Sequence, residues 1–168
     1  MKMKFLFPVL AAFFIFLLPA CAQKNYGITK SYAYKKTFTP GNIMVDDQNN
    51  PVNGGLQVQH IVYLEVSGAV TPVVDEVIYN GDSYDSGVYP VVTLPEVVGK
   101  EKSTEKQILL PVGKGNTLWK IELTKKAGNN KLNPESKAVS ILIKGKIDNK
   151  PFSVSITKET ELAQDITY

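Results

Sequence analysis

Alternation of apolar and polar residues is what most limits the fold of this chain. Along most of its length apolar side chains recur at every second position, and Gly, Pro, Asn and Asp break the pattern. Successive side chains on a strand point to opposite faces, so period 2 marks half-buried strands, whereas a helix lying on a core repeats near 3.6. The clearest long strand spans residues 56–66. Leu56, Val58, Val62, Leu64 and Val66 share one face with His60, and Gln57, Gln59 and Glu65 lie opposite. Ile28, Tyr32, Tyr34 and Phe38 share a parity in an earlier strand. A strand over residues 73–79 runs into Asn80-Gly81, a strong hairpin signal because both positions tolerate positive φ. Trp119, Ile121 and Leu123 align in residues 117–124. Val139, Ile141, Ile143 and Ile147 align before a turn at 148–151, and Phe152, Val154 and Ile156 align after it. Prolines in 88–94 and 108–112 place those segments on edges or at strand ends. About seven to nine short strands, with turns roughly every 8–12 residues, predict an all-β fold. The expected architecture is a single immunoglobulin-like antiparallel β-sandwich over residues 23–168.

Residues 1–22 stand outside that pattern. Lys2 and Lys4 precede an apolar stretch, residues 5–18, interrupted only by Pro8. Its 14 residues fall short of the roughly 20 that a membrane-spanning helix needs and suit the core of a signal peptide. The residues at its end fit two cleavages. Leu18 and Ala20 stand three and one before Cys21, as in a lipoprotein signal whose cysteine is acylated, although Pro19 between them is unusual there. Ala20-Cys21-Ala22 is also a small-residue site that would leave Gln23 first. The one cysteine of the chain stands where lipidation needs it. The expectation is therefore an exported lipoprotein of the outer membrane or periplasm, held through acyl chains on Cys21. A soluble periplasmic or secreted protein is the alternative. Two acyl chains anchor stably where one does not.

The remaining composition excludes several function classes. All 19 basic residues are lysines. Arginine is the usual bidentate partner of phosphate and guanine, so no nucleic-acid partner is expected. One histidine cannot build a three-histidine zinc site, one cysteine cannot form an internal disulfide, and no cofactor is expected. Residues 23–99 hold 4 lysines against 8 acidic residues, and residues 100–168 hold 13 against 8. In a sandwich the two halves interleave, so scattered solvated lysines are the plainer reading of that asymmetry.

Residues 79–89 read most like a site. Tyr79, Tyr84 and Tyr89 stand among Asn, Gly, Ser, Asp82 and Asp85, the vocabulary of adaptable recognition loops. Tyrosine offers a rigid apolar face with a polar tip, suited to a sugar or a peptide. A plain hairpin whose tyrosines pack on a neighbouring strand explains the same residues. Asp82 and Asp85 are also candidates for paired carboxylates acting on a glycoside, which would require a cleft. Residues 46–50 offer oxygen ligands for calcium but lack the glycine and distal glutamate of an EF-hand loop. His60 reads as a core or rim histidine, and no G-x-S-x-G motif supplies it with a nucleophile.

The layout resembles small exported proteins common in Bacteroidota. The likeness rests on Cys21-Ala22-Gln23, Ile43-Met44-Val45-Asp46 with Asn50-Pro51-Val52, and Ile61-Val62-Tyr63-Leu64-Glu65. It continues through Asn80-Gly81 with Tyr84, Leu118-Trp119-Lys120-Ile121-Glu122-Leu123, and the hairpin from Lys144-Gly145-Lys146 to Pro151-Phe152. The resemblance implies an envelope location and a sandwich fold, and it brings no catalytic residue or function with it. Val45-Asp46 with Pro51-Val52 and Gly54 is also similar to the first hairpin of immunoglobulin-like modules in carboxypeptidases and outer-membrane receptors. Together these readings point to a non-enzymatic envelope protein making protein or glycan contacts. A soluble module binding a ligand with residues 79–89 is the alternative, and a small hydrolase using Asp/Glu or His60 is a third.

Overall fold

The computed structural model describes residues 27–38, 46–48, 57–126 and 139–164. Among them are ten strands: β1 (Ile28–Phe38), β2 (Gln57–Ser67), β3 (Val73–Tyr79), β4 (Asp82–Pro90), β5 (Glu96–Lys100), β6 (Gln107–Leu110), β7 (Asn116–Lys125), β8 (Ile141–Ile147), β9 (Lys150–Ile156) and β10 (Thr160–Leu162). The described residues are all-β. Eight strands form one curled sheet in the order β10-β1-β2-β7-β4-β3-β8-β9, and β5 and β6 pair as a separate hairpin. Neighbours in the large sheet run antiparallel except β1 and β10, which are parallel.

The ends of this order are consecutive in the chain. Thr157, Lys158 and Glu159 alone connect β9 to β10. Four peptide steps span at most about 14 Å, so the two ends of the sheet are held together and the sheet rolls up. β9 accordingly comes against β1. Inside the roll, Val62, Leu64, Val66, Ile121, Ile141, Ile143 and Phe152 form the main core. Outside it, the β5–β6 hairpin covers β1, β2 and β7, and Tyr34, Ile61, Tyr63, Leu110, Leu118 and Leu162 form a second core beneath it.

This double cover explains β2. Gln57 and Val58 are exposed and Gln59 and His60 half-buried, but Ile61 through Val66 are all buried. Even positions point into the roll and odd ones point under the hairpin. In β1 the register shifts between Ile28 and Lys30. That irregularity lets Ile28 pack on the inner core while Tyr32 and Tyr34, of the same sequence parity, pack on the outer one.

The expected sandwich divides its strands between two sheets, and the strand estimate stopped at nine; the observed sheet is continuous through eight strands. The reason is β4. Its first half, Asp82 to Gly87, is polar and reads as a turn, yet it pairs with β3 on one side and β7 on the other. It thereby joins β10-β1-β2-β7 to β3-β8-β9. Two-residue turns organise the hairpins as their sequences require. Asn80 and Gly81 have φ of 50° and 91°, and Asp148 and Asn149 have 49° and 61°, the left-handed pair that matches strand twist.

Gly145 is the glycine that packing demands most. A Cβ there would collide with the carbonyl oxygen of Val73 on β3 and stand 2.8 Å from the Phe152 ring. The carbonyl belongs to a paired strand and cannot rotate away. Gly145→Ala is expected to destabilise the protein by about 1–3 kcal/mol, the usual cost of overpacking. A lowered urea midpoint with an unchanged slope checks this.

Candidate functional site

The chemistry of the roll gathers at one end, here called the mouth. The end of β1, the start of β2, the end of β7 and the β3–β4 turn meet there, as the registers Phe38↔Gln57, His60↔Leu123 and Tyr84↔Lys125 require. His60, at an even position of β2, points inward. Its Nδ1 donates to Glu159 Oε1 at 2.8 Å, and Tyr79 Oη donates to Glu159 Oε2 at 2.9 Å. A carboxylate only accepts, so this contact places the Nδ1 proton. The Glu159 side chain is 1% exposed and that of His60 12%.

The rings of Tyr79 and Tyr84 enclose the histidine. Tyr79 stacks at a centroid distance of 4.1 Å and a 40° tilt, and Tyr84 stands edge-on at 6.1 Å. Burial and then the Glu159 carboxylate push the Tyr79 phenol far above its ordinary value. Burial, then Asp82 and Glu159, push Tyr84 up as well. Both phenols stay protonated at neutral pH, so Tyr79 remains a donor. His60 Nε2 makes no hydrogen bond among the described residues. The exposed edge of His60 lines a cleft of about 430 Å³ with Phe38, Val58, Tyr84, Leu123 and Lys125. Gln59, Glu122 and Thr124 line it too, so its walls are mixed, apolar surface beside several polar groups, as ligand sites commonly are.

The structure separates the residues singled out in 79–89. Tyr79 and Tyr84 come together through the hairpin register Val77↔Tyr84 and Tyr79↔Asp82, with ring centroids 5.5 Å apart. Tyr89 has the opposite parity, lies toward the other end of β4, and folds over Gly87. Asp82 and Asp85, three positions apart on a strand, face opposite sides and are drawn to different lysines, Lys125 at 3.8 Å and Lys126 at 3.5 Å. A broader depression of about 590 Å³ between β3 and β4 is lined by Asp75, Glu76, Ser83, Asp85, Ser86 and Lys126. It has no buried polar side chain aimed into it. In the 46–50 run, Asp46 Oδ1 accepts from the Gln48 amide at 2.9 Å, an Asx turn on the surface. No cluster of three His, Cys, Asp or Glu suited to a metal occurs among the described residues. Cys21 lies outside them.

Sequence reasoning found His60 but not its partner. Glu159 sits in a short polar stretch after β9, and nothing local marks it as buried. Glu65 was also missed: its position facing away from the inner core suggested solvent, but the outer core covers that face. Glu65 is 1% exposed. Its Oε1 accepts from the Gly113 amide at 3.0 Å and Asn116 Nδ2 at 2.6 Å, and its Oε2 faces Lys30 Nζ at 3.0 Å. It ties the β6–β7 loop to the end of β2, opposite the mouth. No protein-family model, no curated protein and no solved structure matches the chain.

The two buried carboxylates lead to different expectations. For Glu65, burial alone would raise the pKa, but Asn116, Gly113 and Lys30 together hold it below the usual 4.5. A depressed carboxylate pKa contributes stability that is present above the unfolded value and lost as pH falls through the folded one. Glu65→Gln should therefore cost about 1–3 kcal/mol at neutral pH and flatten the acid limb below pH ~4.5. Urea unfolding across pH checks it. For Glu159, the one histidine of the chain gives a single set of imidazole NMR signals. The neutral ring should carry its proton on Nδ1, and Glu159→Gln should release it to a tautomer mixture, read from the two ring nitrogen shifts.

Proposed function

We propose that this chain is an exported, non-enzymatic envelope protein, tethered by an acylated Cys21, that makes protein or glycan contacts through the mouth of the roll. In the same reading its halves, β10-β1-β2-β7 and β4-β3-β8-β9, are the leaves of an immunoglobulin-like sandwich fused along β4. The observation that carries the contact site is the Glu159–His60 pair. A buried carboxylate loses several kcal/mol of hydration, and well-packed apolar residues often replace such pairs at no loss of stability. Capping a core does not call for it. What the pair adds is an imidazole of fixed tautomer on the wall of a cleft of mixed polar and apolar lining.

A soluble ligand-binding module is the second reading, favoured by the stacked Tyr79 and Tyr84. In it Tyr84 lines the cleft with Tyr79 packed against it, and Tyr89 takes no part. Intact mass of the protein from its own membrane fraction separates the two. A mass of Cys21 onward plus acyl chains is expected, and a mass of Gln23 onward would leave the soluble module. Crosslinking in intact cells should capture a partner that His60→Ala or Phe38→Ala loses and the surface variant Lys126→Ala keeps. Equal capture by all variants would move the contact away from the mouth.

A further inference from the structure

β3 and β4 pair only next to their turn, where Val77, Ile78 and Tyr79 face Tyr84, Ser83 and Asp82. Beyond Val77 the two strands part: residues 73–76 stay with β8, and residues 85–90 stay with β7. The depression of about 590 Å³ between them opens where their pairing stops. Val74, Val77 and Tyr84 line it and also pack on the inner core, which therefore lies beneath it. In an antiparallel ladder alternate residues turn both N–H and C=O away from the paired strand. Some of residues 85–89 accordingly direct their backbone groups away from β7, toward the side that β3 has left. No backbone hydrogen bond from outside the ladders reaches residues 73–76 or 85–89 among the described residues. The two edges differ. β3 carries a register shift between Val74 and Glu76 and two exposed acids, Asp75 and Glu76, the usual means of blunting an edge. β4 pairs with β7 at every position from Tyr84 to Pro90 without a shift. Its one charge within residues 85–89, Asp85, stands 3.5 Å from Lys126. β4 is the edge left regular.

We propose that β4 receives, along residues 85–89, a single extended segment of another polypeptide, added as a strand on the side that β3 vacates. The occupant is set by the chemistry of the edge. Unpaired N–H and C=O groups repeating at strand spacing are matched by another extended backbone, and a sugar or a lipid has no such repeat. An added strand would turn alternate side chains toward Val74, Val77 and Tyr84, which gives the contact its selectivity. A second folded roll would meet β3, which the turn holds beside β4; one extended segment need only follow β4. The other acids of the rim already face lysines, Glu76 with Lys144 at 2.8 Å and Asp75 with Lys146 at 4.0 Å. Backbone pairing rather than charge therefore carries the contact. The site shares only Tyr84 with the cleft at the mouth and does not depend on the tether.

Random nonapeptides displayed on phage and selected on the purified full chain are the probe. The selected peptides should alternate apolar and polar residues, slow the hydrogen exchange of amides within residues 85–89, and bind equally well in high salt. Synthetic copies N-methylated at single positions should weaken roughly tenfold at alternate residues and little at those between, because each methyl removes one backbone donor. The protein itself is unaltered throughout, so misfolding of a variant cannot mimic the result. Peptides that protect only other residues, or that tolerate methylation at every position, would overturn the strand addition, as would a selection that yields no binder. Binding abolished by salt would overturn recognition through the backbone. Amides of residues 85–89 all protected in the free monomer would mean an edge filled from within, and would overturn the proposal too. A dimer in sedimentation that protects the same amides would give the edge to a second copy and overturn the single segment as its occupant.

Discussion

Burial of β2 on both faces is the constraint on which the rest of the structure depends. Val62, Leu64 and Val66 hold the inside of the roll, and Ile61 and Tyr63 hold the hairpin against its outside. A strand in this position has no solvent side on which to place polar groups. Gln57, Gln59 and Ser67 escape this at its exposed ends, but His60, at the edge of the covered stretch, and Glu65, within it, had to find partners inside the protein. Each did so with a distant segment, His60 with Glu159 and Glu65 with Gly113 and Asn116. The polar groups of one strand thus fix both ends of the roll.

At the mouth, closure of the fold and construction of the site are one event. Glu159 lies in the three-residue link that joins the two ends of the sheet. Its carboxylate is held by β2 through His60 and by β3 through Tyr79. Those bonds draw the link inward, and β10 is delivered alongside β1. β10 is then paired on both sides, because the Ala163 amide donates to Lys100 and the Lys102 amide to Glu161. The hairpin that covers the outer core is secured by the same short strand.

The strands with one wet face were legible in the sequence because period 2 survives in them. β8 and β9 show it without interruption, with Ile141, Ile143 and Ile147 facing Phe152, Val154 and Ile156. Legibility failed where something else supplied burial or pairing. β4 is held between two strands despite its polar start, so its backbone rather than its side chains decides its place. β5 and β10 are too short to show a period, and only their partners define them. The candidate site was half legible for a related reason. His60 stands out as a polar residue on an apolar face, whereas Glu159 and Glu65 become buried through contacts 99 and 48 residues away along the chain. No local pattern encodes such contacts.

The two buried carboxylates also differ in what their donors present to the rest of the molecule. Around Glu65 the donors are a backbone amide, a side-chain amide and an ammonium, all belonging to the scaffold it ties down. Nothing in that set points outward from it as an oriented polar group. Around Glu159 one donor is an imidazole, which has a second nitrogen on its far side. Fixing Nδ1 toward the carboxylate leaves Nε2 directed away from it, on a ring that also lines the cleft. The polarity absorbed at one end is passed on at the other. A buried charge can hold a fold together in either setting, but only where it acts through a group with two opposed polar atoms does it also orient a polar atom beyond its own contacts.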